Sequence, residues 1–271
     1  MSTQQPPLSP FGQQLRYWRR RRGLSQLALA IMAETTPRHM SFIETGRSRP
    51  GKELVLRLAS CLDLSVRESN TLLTAAGLAP VYTERELSEE QMRPFRQAIE
   101  AMLTHHEPYP ACAADMLGHI LMANQTYHAL WPGVPDWTPE ESVDAFFAPG
   151  PMREWIENWA EVAWAYADAR RYEAARSNNP RLLALLERIL KHLEDVERPP
   201  VPEGQIGSPV VCPRFRMGDQ VIRTFTTVVR FEHAHDVTLS ELRVELIFPL
   251  DEQADAFFRS VLTNPSATLP E

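Results

Sequence analysis

Cysteine is scarce in this sequence: Cys61, Cys112 and Cys212 are the only three in 271 residues, far apart and never spaced as CxxC. Neither a disulfide framework nor a thiolate metal site is indicated, and buried free thiols are expected. Long apolar runs are missing too, since nothing approaches the roughly 18 residues needed to cross a bilayer. The opening MSTQQPPLSP lacks the basic-then-apolar order of a secretory signal, so a cytoplasmic protein with no membrane partner is expected. No GxSxG, HExxH or phosphate-cradling glycine loop is present, which removes the commonest hydrolase and nucleotide motifs. Carboxylates are plentiful, but they sit in helical charge runs such as LERILKHLEDVE, the pattern of an exposed face. His233 and His235 would lie on one side of a strand with no third ligand near, and the adjacent His105 and His106 diverge on a helix, so neither pair suits zinc. No catalytic residue, metal or cofactor is expected, and the sequence reads as non-enzymatic.

What is there is a soluble, globular composition, 44% hydrophobic and 23% charged, long enough for two domains. The net charge of -7 is unevenly spread. Residues 1–80 carry 11 Lys+Arg against 5 Asp+Glu, a balance of +6, which leaves -13 for the remainder. A basic head before an acidic body is the footprint of a chain in which only the first domain approaches a polyanion.

The first 80 residues divide into five short helices. In FGQQLRYWRRRRG, Phe11, Leu15 and Trp18 recur at helical spacing and Gly23 follows a last turn crowded with arginines, as C-terminal capping favours. SQLALAIMA opens on Ser25 as N-cap, with Leu27, Ala28 and Ile31 expected to form the apolar face. In TTPRHMSFIETGRSRPGKEL, Thr36 caps, Pro37 takes the first helical position, Met40 and Ile43 face inward and Gly46 terminates. That leaves Arg38, Ser41 and Phe42 outward. ELVLRLASCLDL and VRESNTLLTAAGL supply helices four and five.

Two short helices joined by a tight turn inside such a domain resemble the repressor and Cro-like, or XRE, helix-turn-helix family over residues 11–78. In one departure, the inter-helix turn carries Glu34 where the family usually has glycine, and a left-handed non-glycine residue costs ~1 kcal/mol. A recognition helix reads base edges in the major groove from its N-terminal end. Thr36 and Pro37 would then meet thymine methyls and Arg38 a guanine edge, with Ser41 and Phe42 beside them. Arg47, Ser48 and Arg49 would lie on phosphates, and Ser25 with Gln26 would hold the other side. The resemblance makes Arg19 and Glu44 an internal salt bridge and His39 a helix-face residue.

The expected division is a disordered stretch over residues 1–10, the helix-turn-helix domain over 11–80, a linker over 81–94 and a second domain over 95–265. This second domain starts on the helix MRPFRQAIEAMLTHH. YPACAADMLGHILMANQTYHALW then reads as strand, turn at residues 116–118, strand, and a helix capped by Asn124. Two helices follow, PMREWIENWAEVAWAYADARRYEAARS and PRLLALLERILKHLEDV, and then the proline-rich RPPVPEGQIGSP. VVCPRFRM, a turn at Gly218 and Asp219, QVIRTFTTVVRFEH and TLSELRVELIFPL read as strands, and DEQADAFFRSVL as a last helix. The result is an α+β domain with an antiparallel sheet, similar at its start to a PAS-like sensor fold.

EPYPACAADMLGHILMAN and DVTLSELRVELIFPLDEQAD, in that order, resemble the ligand-binding domain of MmyB-like transcription regulators over roughly residues 95–263. The resemblance implies a bacterial one-component regulator that binds double-stranded DNA and takes a small apolar molecule, such as a fatty acid. Candidate cavity residues are Met116, Leu121, Phe146, Phe147, Trp155, Trp159, Phe225, Val229, Leu246 and Phe248. For an acidic head, Arg170, Arg223 or a tryptophan N–H are the open alternatives. A homodimer fits half-sites one helical turn apart. The other reading makes the C-terminal domain a ligand-free module for dimerisation or a protein partner.

Overall fold

The computed structural model describes residues 9–177, 179–200, 211–218 and 220–263. The expected disorder of the first residues, most of the proline-rich stretch and Asp219 of the expected turn lie outside them, although Ser9 and Pro10 are already structured. The chain forms two compact units, Met1–Glu84 with Ala234–Ser240, and Arg85–His233 with Glu241–Glu271.

The first unit holds α1 (Pro10–Arg21), α2 (Gln26–Met32), α3 (Pro37–Glu44), α4 (Lys52–Cys61) and α5 (Val66–Ala75). Side-chain oxygens start four of them: Ser9 accepts from Gly12 N, Ser25 from Ala28 N, Thr36 from His39 N, and Ser65 forms a capping box with Glu68. Each such cap is worth about 1 kcal/mol. Leu15, Leu29, Met40, Ile43, Leu58, Leu62, Leu72 and Leu73 are wholly buried in one core, and each contributes roughly 1.5–3 kcal/mol by leaving water. Gly12 lets α1 cross α3 closely, because a Cβ there would stand 2.1 Å from the Glu44 carbonyl oxygen. Glu34 does hold the turn between α2 and α3, at φ 50.

The face of α2 differs from the expected one. Leu29, Ala30 and Ala33 are buried, whereas Leu27 and Ile31 stand 55% and 67% exposed and Ala28 is half-buried. A two-turn helix that is apolar all round offers no periodicity to choose a face, so packing against α3 and α4 decides it.

Past α5, Asn70 fixes the exit of the chain, accepting from the amides of Val81 and Tyr82 and donating to the Tyr82 carbonyl at 2.7 Å. In the same unit, Val237 N donates to Thr83 O at 2.7 Å, and the Thr83 hydroxyl donates to Asp236 at 2.8 Å.

The remaining elements are α6 (Arg93–His105), β1 (Ala111–Ala114), β2 (Ile120–Ala123), α7 (Gln125–Leu130), α8 (Pro139–Phe147), α9 (Pro151–Trp155), α10 (Trp159–Arg176), α11 (Pro180–His192), β3 (Arg214–Met217), β4 (Gln220–Arg230), α12 (Val237–Glu241), β5 (Arg243–Pro249) and α13 (Glu252–Val261). The five strands make an antiparallel sheet in the order β2-β1-β5-β4-β3. The buried Asn124 ties its start together: its side chain accepts from Ala111 N and Tyr127 N, each at 3.0 Å, and donates to Tyr109 O at 2.8 Å.

Three local expectations fail here. The expected single helix from Pro151 breaks into α9 and α10, because Ile156 is extended (φ -97, ψ 108) and pairs with Phe215. Glu157 N donates to Arg214 O at 2.8 Å, and Asn158 bonds both Arg214 N and Cys212 O. Bonds to the strand region thus replace helical ones, which an apolar stripe cannot reveal. TLSEL is not strand but largely α12, and the His233–His235 stretch is a turn beyond the end of β4, with His233 at φ 55. The helix α8 was not anticipated, although Thr138 and Glu141 form a capping box ahead of it.

Candidate DNA-binding face and ligand cavity

In the first unit, α3 presents its N-terminal end to solvent. Thr36, Pro37 and Arg38 are exposed there, with Ser41 and Phe42 half-buried. The Phe42 ring lies between two guanidinium groups, Arg38 at 5.3 Å and Arg47 at 5.9 Å from its centroid. Such cation–π contacts pre-order two long side chains that would otherwise lose rotamer entropy on binding. Past Gly46, the amides of Arg47 and Ser48 both donate to the Phe42 carbonyl. Those amides are spent inside the protein, so this loop offers anions its side chains, with Arg47 and Arg49 exposed.

Beneath this face lies Glu44, fully buried, with Arg19 Nε at 2.5 Å and Gln26 Nε2 at 2.6 Å from its carboxylate. The Gln26 amide is therefore committed to Glu44, and Ser25 Oγ to the α2 cap. Arg16 Nε stands 3.8 Å away on the same carboxylate. Donors from Arg19 and Gln26, with the Arg16 charge beside them, fix α1, the start of α2 and the end of α3 relative to one another.

The second unit holds a cavity of about 270 Å³. Its walls are Phe146 and Phe147 from α8, Val162 and Tyr166 from α10, Tyr127 and Trp131 from α7 and its end, Phe215 from β3, Ala114 and Ile120 from β1 and β2, and Arg243, Glu245 and Ile247 from β5. The aromatic rings contact each other, Phe146 to Phe147 at 4.9 Å and Trp131 to Phe215 at 5.9 Å. Mostly apolar walls with a few polar groups are the usual character of a small-molecule site. Burial pushes the Tyr127 phenol well above its ordinary value and, with Glu245 nearby, raises the Cys112 thiol also. Both stay protonated, Tyr127 donating to Cys112, so this cysteine is an unreactive buried thiol behind the Tyr127 wall.

Of the sequence candidates, Phe146 and Phe147 line the cavity; the other ten lie elsewhere. Met116 packs on Ala174, Leu182 and Leu186, and Trp155 is half-buried outside the wall. Trp159 sits in the core behind Phe147 and spends its indole N–H on Phe146 O at 2.8 Å. Arg170 is buried but donates to Met116 O at 2.9 Å, and Arg223 is exposed. Leu121 is exposed beside the register shift between β1 and β2, whereas Phe225, Val229, Leu246 and Phe248 miss the cavity together. The register pairs Phe225 with Phe248, Thr227 with Leu246 and Val229 with Val244, so these residues share one sheet face. Val244 and Leu246 pack there with Ile99 and Leu103 of α6. The cavity uses the alternate set, Arg243, Glu245 and Ile247, with Ala114 opposite Arg243. One step of strand register moves every side chain to the other face, and both faces are covered by helices. The more polar set of β5 reads as the solvent side, yet it is the one that meets the cavity.

A helix-turn-helix head with an exposed α3 and a second unit built around an aromatic cavity define a DNA-binding transcription regulator that carries a ligand-binding domain. Comparison with protein families agrees on both halves: a helix-turn-helix domain matches residues 10–72, and the MmyB-like transcription regulator ligand binding domain matches residues 95–261, more than half of the chain. The chain belongs to the MmyB-like family, with an XRE-type head. A comparison with curated proteins returned no match.

Proposed function

We propose that this regulator reads double-stranded DNA with α3 and answers to a small apolar, fatty-acid-like molecule held in the second unit. On the DNA side, Thr36, Pro37, Arg38, Ser41 and Phe42 enter the major groove, and Arg47, Ser48 and Arg49 lie on phosphates with Ser25 and Gln26 across from them. Gln26 acts there chiefly through the α2 N-terminus, because its amide is held by Glu44. The protein works as a homodimer, so that two heads address half-sites one helical turn apart.

The aromatic-lined cavity of about 270 Å³ carries the ligand reading. Each methylene buried there contributes ~0.8 kcal/mol. The strand order β2-β1-β5-β4-β3, with helices over both faces, supports a PAS-like sensor. Only a difference in ligand affinity between DNA-competent and DNA-incompetent forms couples the two sites. The test is native mass spectrometry with solvent extraction of the purified full-length protein. Co-purifying or titratable acyl species at one per chain are expected; a chain that neither carries nor takes up any apolar molecule overturns the ligand reading and leaves the DNA reading intact.

A further inference from the structure

The exposed edges of the sheet are not equally guarded. On one side, β2 is four residues long and its pairing with β1 slips between Ala113 and Ala114. On the other, β3 is equally short and carries Arg214 and Arg216. Short, irregular or charged edges are how a folded sheet avoids adding further strands. β4 is different. It runs for 11 residues, but β3 covers only Gln220–Arg223, so residues 225–230 have β5 on one side and no strand among the described residues on the other.

Backbone direction along this stretch follows from its last bond to the β3 side. Thr224 N donates to Pro213 O at 3.2 Å, whereas Arg223 O accepts from Leu250 N on the β5 side. By alternation, Thr226, Val228 and Arg230 turn their N–H and C=O groups to the open edge. No group among the described residues bonds them there. The side chains do not close the edge either. Residues 227–230 are all exposed, Val228 at 50% and Val229 at 40%, so a stretch rich in β-branched residues is open on both faces. The apolar surface continues onto Phe95 of α6, 40% exposed and edge-on to Phe231.

We infer that the open edge of β4 is the dimer interface, and that it takes the same strand of a second copy, antiparallel about a two-fold axis at Val228. This rests on the reading of the regulator as a homodimer. A two-fold axis demands a self-complementary edge. This stretch supplies one: with Val228 opposite its counterpart, Thr226 meets Arg230 of the other copy and Thr227 meets Val229. That register pairs all three outward-facing residues of each chain, and a shift in either direction pairs fewer. It also sets no like charges opposite one another, which would weaken the pairing. Strand addition satisfies the idle backbone groups and takes the exposed valines out of water.

The experiment measures the mass of the full-length protein by sedimentation over a range of concentrations. The wild-type protein should be a dimer. Thr227→Lys with Val229→Lys sets lysine against lysine across the axis, and Thr227→Glu with Val229→Glu sets glutamate against glutamate. Each double variant alone should raise the dimer dissociation constant at least about tenfold. An equimolar mixture of the two should restore dimers, because the opposed side chains then attract, a recovery that a general loss of stability does not give. Hydrogen exchange at the amides of Thr226, Val228 and Arg230 should be slow in the dimer and fast in either variant alone. A wild-type dimer that survives in both variants, or a mixture of folded variants that stays monomeric, overturns the β4 interface and leaves the homodimer reading intact. Slow exchange of those amides in monomeric variants means that the same chain covers the edge, and overturns the interface as well. A wild-type protein that stays monomeric both free and on duplex DNA overturns the homodimer reading itself.

Discussion

Arg19 and Glu44 form a buried two-point ion pair that joins α1 to the end of α3, Nε to Oε1 at 2.5 Å and Nη2 to Oε2 at 3.1 Å. Removing one partner strands the other charge without water. Glu44→Ala should therefore cost about 3–5 kcal/mol, read as a shifted urea midpoint, and Arg19→Met with Glu44→Leu together should cost less than Glu44→Ala alone. A loss under about 1 kcal/mol for Glu44→Ala would mean that the carboxylate is not organising the head.

On the DNA-reading face, Arg38 and Arg47 flank the same ring yet should behave differently. Arg38→Ala should lose about 1–3 kcal/mol of discrimination between operator and random duplex, whereas Arg47→Ala should weaken all sequences alike and lower the salt slope by about one. Gel-shift titrations at several salt concentrations separate the two. Equal loss of discrimination in both variants would mean that the reading side chain has been misassigned.

Acid should loosen one wall of the cavity. Asp144 on α8 accepts from Arg188 Nε at 2.6 Å and meets His192 Nε2 at 2.9 Å on α11. The Arg188 hydrogen bonds, aided by His192, hold its carboxyl well below the ordinary 3.8. A depressed carboxylate stabilises the fold above that ordinary value and loses the contribution as pH falls through and below it. The pair is partly exposed, so solvent and salt reduce the effect. Thermal melts from about pH 6 down to about pH 3 should fall less steeply in Asp144→Asn than in wild type. Parallel profiles would rule out this contact as a source of acid sensitivity.

Filling the cavity should silence it. Val162→Trp places an indole into space bounded by Phe146, Phe147 and Tyr166, and should abolish uptake of an acyl probe in native mass spectra while DNA binding continues without ligand response. On the other sheet face, Val229→Ala should leave uptake unchanged, because Val229 pairs across from Val244 and stands 40% exposed. Uptake lost in the second and kept in the first would reverse the assignment of faces.

Much of the head was legible in the sequence because its signals are local. Ser25, Thr36, Pro37, Gly23, Gly46 and the spacing of Leu15, Met40 and Ile43 each act within one or two turns of chain, and caps and periodicity report that range directly. The second unit was legible as alternating strands and helices, with Asn124 as a cap, but its site was not. Residue types along β5 alternate Arg243, Val244, Glu245, Leu246, Ile247, Phe248, and a reader expects the apolar set to face a ligand.

By itself, then, the chain determined where the helices of the head begin and end and which half is basic, since each depends on neighbours in sequence. Tertiary structure alone decided which face of α2 is buried, where α9 gives way to α10, and that Arg243 rather than Arg170 or Arg223 reaches the cavity. Those outcomes turn on strand register and on contacts between distant segments, such as Asn158 with Cys212 and Arg243 with Glu173, and no local pattern encodes which side of a doubly covered sheet will be left open.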